Sequence, residues 1–323
     1  MGRRVFVTGA NGRVGQPLVR ALVAAGEEVV GLARTEQGAA QVRALGATCL
    51  VGSLQDQATV CKGLDGARVV YHLAGGLRGP GKLTADLINR TAMEQLLAAV
   101  DKVGSKDLDS LVFTSSCAIY GNRSGLVVDE DMPPQPTTAY GQSKVDAERL
   151  LLAASARGVP ARIARLAAVY GPGFPFMLVD QIKAGKARLP GEGRNYVPTI
   201  HVDDAVTALR RVADAGQDGR IYNVADTDPV TLKAFYTQVH SLVGGKPVWF
   251  WSTWIPSYVQ EAIARTNERL QSHTPRRPMF TPDNIKLFRD SVRLKVDRLQ
   301  SELGMEWQHP NAVAGLKVVL GDA

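Results

Sequence analysis

A doubly wound α/β fold, with a parallel sheet covered by helices on both faces, is what this sequence predicts. Three observations predict it. Short apolar strands alternate with amphipathic, helix-length runs from Arg4 to Ser116. The segments joining them are short. A glycine-rich turn, Thr8-Gly-Ala-Asn-Gly-Arg-Val-Gly15, stands between the first strand and the first helix.

The first strand is Val5-Phe6-Val7, and a helix pattern follows through Leu18, Val19, Leu22 and Val23, stopping at Gly26. Gly9 and Gly12 let the backbone turn tightly and approach a pyrophosphate, while Gly15 lets the helix pack against the strand. The helix N-terminus then faces the anion. The flanking strand and helix make this a dinucleotide-binding turn rather than a bare bend. The second strand, Glu28-Val-Val-Gly-Leu-Ala-Arg34, ends in arginine. A carboxylate there would bond the ribose 2′-hydroxyl of NAD, whereas arginine suits a 2′-phosphate. Arg34, with Arg13 reaching the same phosphate, favours NADP, with NAD possible.

Helix and strand continue to alternate. Residues 37–45 read as a helix, 48–51 as a strand, 57–64 as a helix and 67–74 as a strand ending in Gly75-Gly76. A long amphipathic helix at 87–100 leads to a strand at 110–116. Ligands of such sheets sit beyond the C-terminal strand ends, where Thr8, Arg34, Ser53, Ala74 and Ser116 fall. His72 lies inside a strand and reads as a core residue.

Thr138-Ala-Tyr-Gly-Gln-Ser-Lys144 opens a further helix pattern after a proline-rich loop. Tyr140 and Lys144, four residues apart, share one helical face. Free tyrosine titrates near ~10. An ammonium ~4 Å away at an effective dielectric of ~20 favours the phenolate by roughly 4 kcal/mol, an upper figure because desolvation opposes it. The pair is a proton-transfer device if a cofactor lies beside it.

The composition is ordinary for a globular chain: 323 residues, 45% hydrophobic and 21% charged. The three cysteines, Cys49, Cys61 and Cys117, form no close pairs, which argues against disulfides and a zinc site; no metal is expected. They suit a reducing compartment. A strand pattern beginning by Arg4 leaves no room for a signal peptide, and no apolar run approaches a membrane span. A cytoplasmic location is expected. The net charge of +7 permits anionic ligands, but no basic tail or dense cationic block favours nucleic acid.

Taken in order, Thr8–Gly15, His72-Leu-Ala-Gly75, Thr114-Ser-Ser-Cys-Ala-Ile-Tyr-Gly121 and Tyr140-Gly-Gln-Ser-Lys144 resemble the extended short-chain dehydrogenase/reductase superfamily. Arg165-Leu-Ala-Ala-Val-Tyr-Gly-Pro172, His201-Val-Asp-Asp204 and Tyr222-Asn-Val224 extend the likeness. The resemblance implies a Rossmann-type sheet with a smaller C-terminal substrate lobe. It implies Tyr140 as general acid/base, Lys144 lowering the tyrosine pKa and bonding the nicotinamide ribose, and Ser116 bonding the substrate oxygen. It implies cofactor contacts from Gly9, Asn11, Gly12, Arg13, Val14, Arg34, Ser53, Leu54, Leu73, Ala74, Gly75, Thr114, Tyr140, Lys144, Leu166 and Ala167. Serine at 53 departs from the aspartate common there. The superfamily's usual homodimer surface falls on helices 87–100 and 145–154.

Three departures narrow the reaction. Cys117-Ala118 replaces the Asp-Glu pair of dehydratases. Ala168 and Val197 stand where nucleotide-sugar epimerases usually carry asparagine and arginine. Loss of that arginine would leave a diphosphate poorly compensated. The pattern is closer to the hydroxysteroid-dehydrogenase and dihydroflavonol-reductase branches, acting on alcohols and ketones of low charge. A nucleotide-sugar epimerase using bound NAD and a non-catalytic dinucleotide sensor are the alternatives.

Residues 1–175 with 200–225 read as the dinucleotide domain, and 176–199 with 226–323 as the substrate lobe. Within the lobe, Trp251, Trp254, Ile255, Tyr258, Val259, Ala262 and Ile263 form an apolar stripe at helical spacing. It reads first as core, next as an aromatic lid, and last as a membrane-surface helix.

Overall fold

The computed structural model describes residues 2–76, 85–174, 177–251 and 282–321. Seven strands form the central sheet: β1 (Arg4–Thr8), β2 (Glu28–Ala33), β3 (Thr48–Val51), β4 (Val69–His72), β5 (Ser110–Ser116), β6 (Ala161–Leu166) and β7 (Ile221–Val224). Their order is β3-β2-β1-β4-β5-β6-β7, and every pairing is parallel. The chain goes from β1 outward through β2 and β3, then returns to place β4 on β1's other side. That reversal leaves a crevice between the carboxyl ends of β1 and β4.

The two faces are filled by alternation along each strand. Val5 and Val7 enter one core with α1 (Gly15–Ala24), α2 (Glu36–Arg43) and α7 (Val202–Ala215). Phe6 enters the other, with α3 (Gln57–Leu64), α4 (Ala85–Val103) and α5 (Ala139–Ser155). β5 repeats the pattern, with Val112 on the first face and Leu111 and Phe113 on the second. These strands are buried on both sides, which explains their near-continuous apolar runs.

A third core lies beyond β6. Ile182 of α6 (Val179–Lys183), Phe235 and Tyr236 of α8 (Leu232–Val243) and Leu316 of the helix Ala312–Leu320 gather there with Tyr170 and Leu189 from the strands Ala168–Tyr170 and Arg188–Pro190. Thr199–His201 pairs with Ala168–Tyr170 outside the main sheet, and α7 then packs back onto it. Residues 292–305 also pack against the first core, through Val292, Leu294, Leu299 and Met305.

The aromatic stretch differs from its expected helical stripe. Trp249–Trp251 is a strand paired with Arg188–Pro190, so Trp251 belongs to a period-two element. Trp254, Ile255, Tyr258, Val259, Ala262 and Ile263 lie outside the described residues. No helix among the described residues is long and apolar enough to cross a membrane.

One buried polar network holds α5 to the sheet. Arg165 on β6 grips Glu148 on α5 with two bonds, Nε to Oε1 at 3.1 Å and Nη2 to Oε2 at 2.8 Å. Both side chains are nearly inaccessible, at 3% and 4% exposure. Arg165 also donates to the Tyr120 hydroxyl at 2.8 Å, which donates to Asn223 of β7 at 2.7 Å. The Asn223 amide in turn reaches Glu130 at 2.8 Å. Removing one member of such a pair leaves a buried charge uncompensated. Glu148→Gln is therefore expected to lower stability by about 3–5 kcal/mol in urea unfolding. A loss under about 1 kcal/mol, the value typical of an exposed pair, would contradict this account.

Candidate active site

The cleft begins at the turn after β1. Gly9 has φ +71°, and a Cβ there would come within 2.7 Å of the Ala74 nitrogen and 2.8 Å of the Leu73 carbonyl carbon. Glycine is thus required both by its conformation and by the approach of the segment after β4. The Gly12 amide closes the turn onto the Gly9 carbonyl at 2.9 Å. Gly15 acts differently from its expected role: its missing Cβ avoids the Gly9 and Ala10 carbonyls of the turn, at 2.2 and 2.8 Å, rather than the strand. The Thr8 hydroxyl meets His72 Nδ1 at 2.8 Å and accepts from the Ala74 amide at 3.3 Å. His72 is fully buried, and burial lowers its pKa to about 3, with Lys144 adding to the effect. It is neutral structural material, as its position in the strand suggests.

Helix α1 has no side-chain cap, whereas Thr35, Asp56 and Thr138 cap α2, α3 and α5. Its first turn therefore has no side-chain cap facing the cleft, as an anion-binding helix start requires. In front of it lies a cavity of about 450 Å³ lined by Gly9, Asn11, Gly12, Arg34, Ser53, Leu54, Leu73, Ala74 and Gly75. Arg34 is exposed, lines this cavity, and makes no recorded ion pair with the described residues. Glycine cradle, uncapped helix and exposed arginine together suit a dinucleotide. Arg13 and Val14 line neither this cavity nor the next.

Leu32, Gly52 and Gln55 complete the near wall, and Ile88, Thr91, Ala92 and Gln95 of α4 form the far one. The latter four are missing from the sequence-derived set. Their i, i+3, i+4, i+7 spacing marks one helical face, and that periodicity was the available signal. Asn89 is another residue missing from that set. It is buried, exchanges two bonds with the Gly76 backbone at 3.2 and 3.0 Å, and donates to Ser143 at 3.0 Å.

A second cavity of about 180 Å³ shares Leu73 and Gly75 with the first, so the two adjoin. Its lining brings together Thr114, Ser116, Tyr140, Lys144, Leu166 and Ala167. A third cavity, of about 340 Å³ and lined in part by Arg194 and Arg289, shares no residue with either.

Helix α5 starts at Thr138, whose hydroxyl accepts from the Gly141 amide at 3.0 Å. A Cβ on Gly141 would lie 2.6 Å from the Ala118 carbonyl oxygen, so glycine lets α5 close on the turn after β5. This brings Tyr140 beside Ser116 in one lining, where the serine hydroxyl favours the phenolate. Ser116 also accepts from the Ala118 amide at 3.2 Å, so it both caps the turn and faces the tyrosine. Lys144 is buried at 4% exposure and donates to the Thr114 carbonyl at 2.9 Å.

The electrostatics reverse one expectation. Lys144 was expected to depress the Tyr140 pKa. Instead burial of the hydroxyl end raises it to about 12, and the Ser116 hydroxyl only partly opposes this. The ammonium is directed to the Thr114 carbonyl, 5.9 Å from the Tyr140 ring centre. Tyr140 as a residue is half-buried. Lys144 is itself lowered to about 8 by burial, with Glu148 pulling the other way.

Comparison with known proteins agrees with this geometry. Residues 5–225 match the model of the NAD dependent epimerase/dehydratase family. The chain is 32% identical over 242 residues to the 4-hydroxy-2-methyl-3-oxo-4-farnesyl-3,4-dihydroquinoline-1-oxide ketoreductase of Stigmatella aurantiaca, covering 72% of this chain and 71% of that protein. It is 26% identical to the decarboxylating sterol-4-alpha-carboxylate 3-dehydrogenase of Dictyostelium discoideum, covering 73% and 75%. Among solved structures, MoeE5 in complex with UDP-glucuronic acid and NAD superposes with a TM-score of 0.75 at 26% identity, over 98% of each chain. The matched residues span the glycine turn, the crevice and the tyrosine-lysine helix, and the chain belongs to the NAD-dependent epimerase/dehydratase family of enzymes, within the extended short-chain dehydrogenase/reductase superfamily.

Proposed function

We propose that the protein is an NADP-preferring oxidoreductase that interconverts an alcohol and a ketone of low charge. The observation that carries this reading is that the large cavity in front of α1 adjoins, at Leu73 and Gly75, the small one holding Ser116, Tyr140 and Lys144. When bound, the nicotinamide supplies or takes the hydride. Tyr140 holds the proton exchanged with the substrate oxygen. Its raised pKa keeps it protonated at neutral pH, which suits ketone reduction. Ser116 donates to the same oxygen as charge develops there. Lys144 uses one N–H on Thr114 and keeps two donors for a ribose.

The substrate class follows from the small cavity's lining. Leu73, Leu166, Ala167 and Val169 are apolar, and Lys144 is the single charged side chain among the described lining residues. Val197, where an epimerase would carry arginine, is buried in the third core beside Val230. That core supports assigning 176–199 and 226–323 to substrate binding, with 292–305 packed back onto the sheet. The sequence relatives named as a ketoreductase and a sterol dehydrogenase point the same way. The likeness to MoeE5, solved with UDP-glucuronic acid and NAD, favours a nucleotide sugar as the alternative substrate, which keeps epimerisation as the second reading. Three free thiols support a cytoplasmic setting. Helices α4 and α5, side by side on one face, are the proposed homodimer surface.

A panel of ketones with NADPH tests the first reading. Stoichiometric loss of nicotinamide absorbance is expected, while sugar interconversion without net absorbance change would establish the second. Tyr140→Phe should cut kcat/KM at least ~10²-fold, the usual contribution of a general acid, with near-normal NADPH binding. Retention of more than about a tenth of wild-type activity would remove Tyr140 from its role. Lys144 loses its charge near pH 8. Activity requiring the ammonium should therefore fall as pH rises through about 8. A rate that stays level to pH ~10 would contradict it. Arg34→Asp should shift the NADPH/NADH ratio of kcat/KM at least ~10-fold toward NADH, the value of a charge-assisted phosphate bond. An unchanged ratio would refute the phosphate assignment.

A further inference from the structure

Away from the cleft, three ligand-type side chains meet where the C-terminal segment crosses the start of α7. His201 ends the strand Thr199–His201, Asp203 lies in the first turn of α7, and His309 comes from the loop before Ala312–Leu320. One ligand atom from each lies within 4.8 Å of the others. We propose that His201, Asp203 and His309 bind a divalent transition-metal ion of the zinc type, which fastens the C-terminal segment to α7.

The separations suit such an ion. His201 Nδ1 and Asp203 Oδ2 are 3.6 Å apart. Two ligands of a tetrahedral ion with bonds of ~2.1 Å sit about 3.4 Å apart. The two imidazole rings are 4.0 Å apart between centres and tilted by 56°, so both can turn a nitrogen to one point. Asp203 is exposed and His309 half-buried, which leaves each free to close the remaining distance. Two imidazoles and one carboxylate are a donor set suited to zinc, nickel or cobalt, with water in the open positions.

His201 supplies an independent observation. It is 2% exposed. Its Nδ1 receives only a long 3.3 Å bond from the Asp203 amide. Buried imidazoles are ordinarily better satisfied. A cation at Nδ1 would replace that weak bond and fix the proton on Nε2.

The surroundings hold the cluster in place. The buried Asp204 carboxylate accepts from the Gln308 and His309 amides at 2.8 Å each, which sets His309 beside α7. Trp307 Nε1 donates to the Ala225 carbonyl at 2.9 Å on the same loop. The positive end of the α7 dipole opposes a cation, but Asp203 and Asp204 place two carboxylates there. None of these residues lines the dinucleotide cleft, so the site stands apart from the proposed reaction.

Tag-free protein stripped with EDTA is titrated with Zn²⁺ by calorimetry and with Co²⁺ by visible absorbance. One equivalent of Zn²⁺ should bind and raise the melting temperature, and Co²⁺ should give the strong bands of low coordination. His309→Ala should weaken Zn²⁺ binding at least ~100-fold and Asp203→Asn at least ~10-fold, each losing one of three ligands. Circular dichroism without metal checks that His309→Ala is folded. If it is not, exposed Asp203 decides the matter alone. Absence of saturable binding, or equal Zn²⁺ affinity in wild type and Asp203→Asn, would overturn the proposal.

Discussion

The buried pair between Arg165 and Glu148 is the interaction on which the Tyr140–Lys144 face depends. Tyr140, Lys144 and Glu148 follow one another at four-residue steps on α5 and so share one side of the helix. Glu148 bonds Arg165 on the neighbouring strand and also stabilises the charge of buried Lys144. Such pairs contribute little net stability, because desolvation offsets the attraction. Their value here is positional. With the carboxylate in place, the rotation and depth of α5 are fixed, and Lys144 reaches the Thr114 carbonyl.

Backbone proximity sets a second constraint. Gly9 admits the segment after β4, and Gly141 admits the turn after β5. Gly75 lies where a Cβ would be 2.5 Å from Asn89 Oδ1 and 3.2 Å from Lys144 Nζ. Together these three glycines draw α1, α4 and α5 around one point. Any side chain at those positions would force the walls of the cleft apart.

The tyrosine shows how competing effects are settled by geometry. A charge at ~4 Å would shift a phenol by several kcal/mol in the acidic direction. The ammonium is instead spent on a carbonyl, and burial then dominates. The outcome is a phenol that holds its proton and a lysine that holds its own less tightly than in water. In the proposed reaction, proton donation to a substrate is the direction this pair favours.

Local signals in the sequence were enough for the alternation of strands and helices, the glycine turn, the Tyr140–Lys144 face and the core role of His72. Each is written in residues close together in the chain, through period, spacing or a required conformation. The α4 wall at Ile88, Thr91, Ala92 and Gln95 was legible as a helical face, but its partner was not. Only the tertiary structure could decide that Glu148 meets Arg165, that Trp249–Trp251 pairs as a strand, that Lys144 turns to Thr114, and that His309 comes to rest beside His201. These contacts join distant segments, and periodicity along one segment carries no information about which other segment will cover it. The sign of the tyrosine shift was lost for the same reason: it depends on how much protein surrounds the hydroxyl, which the neighbours in sequence do not specify.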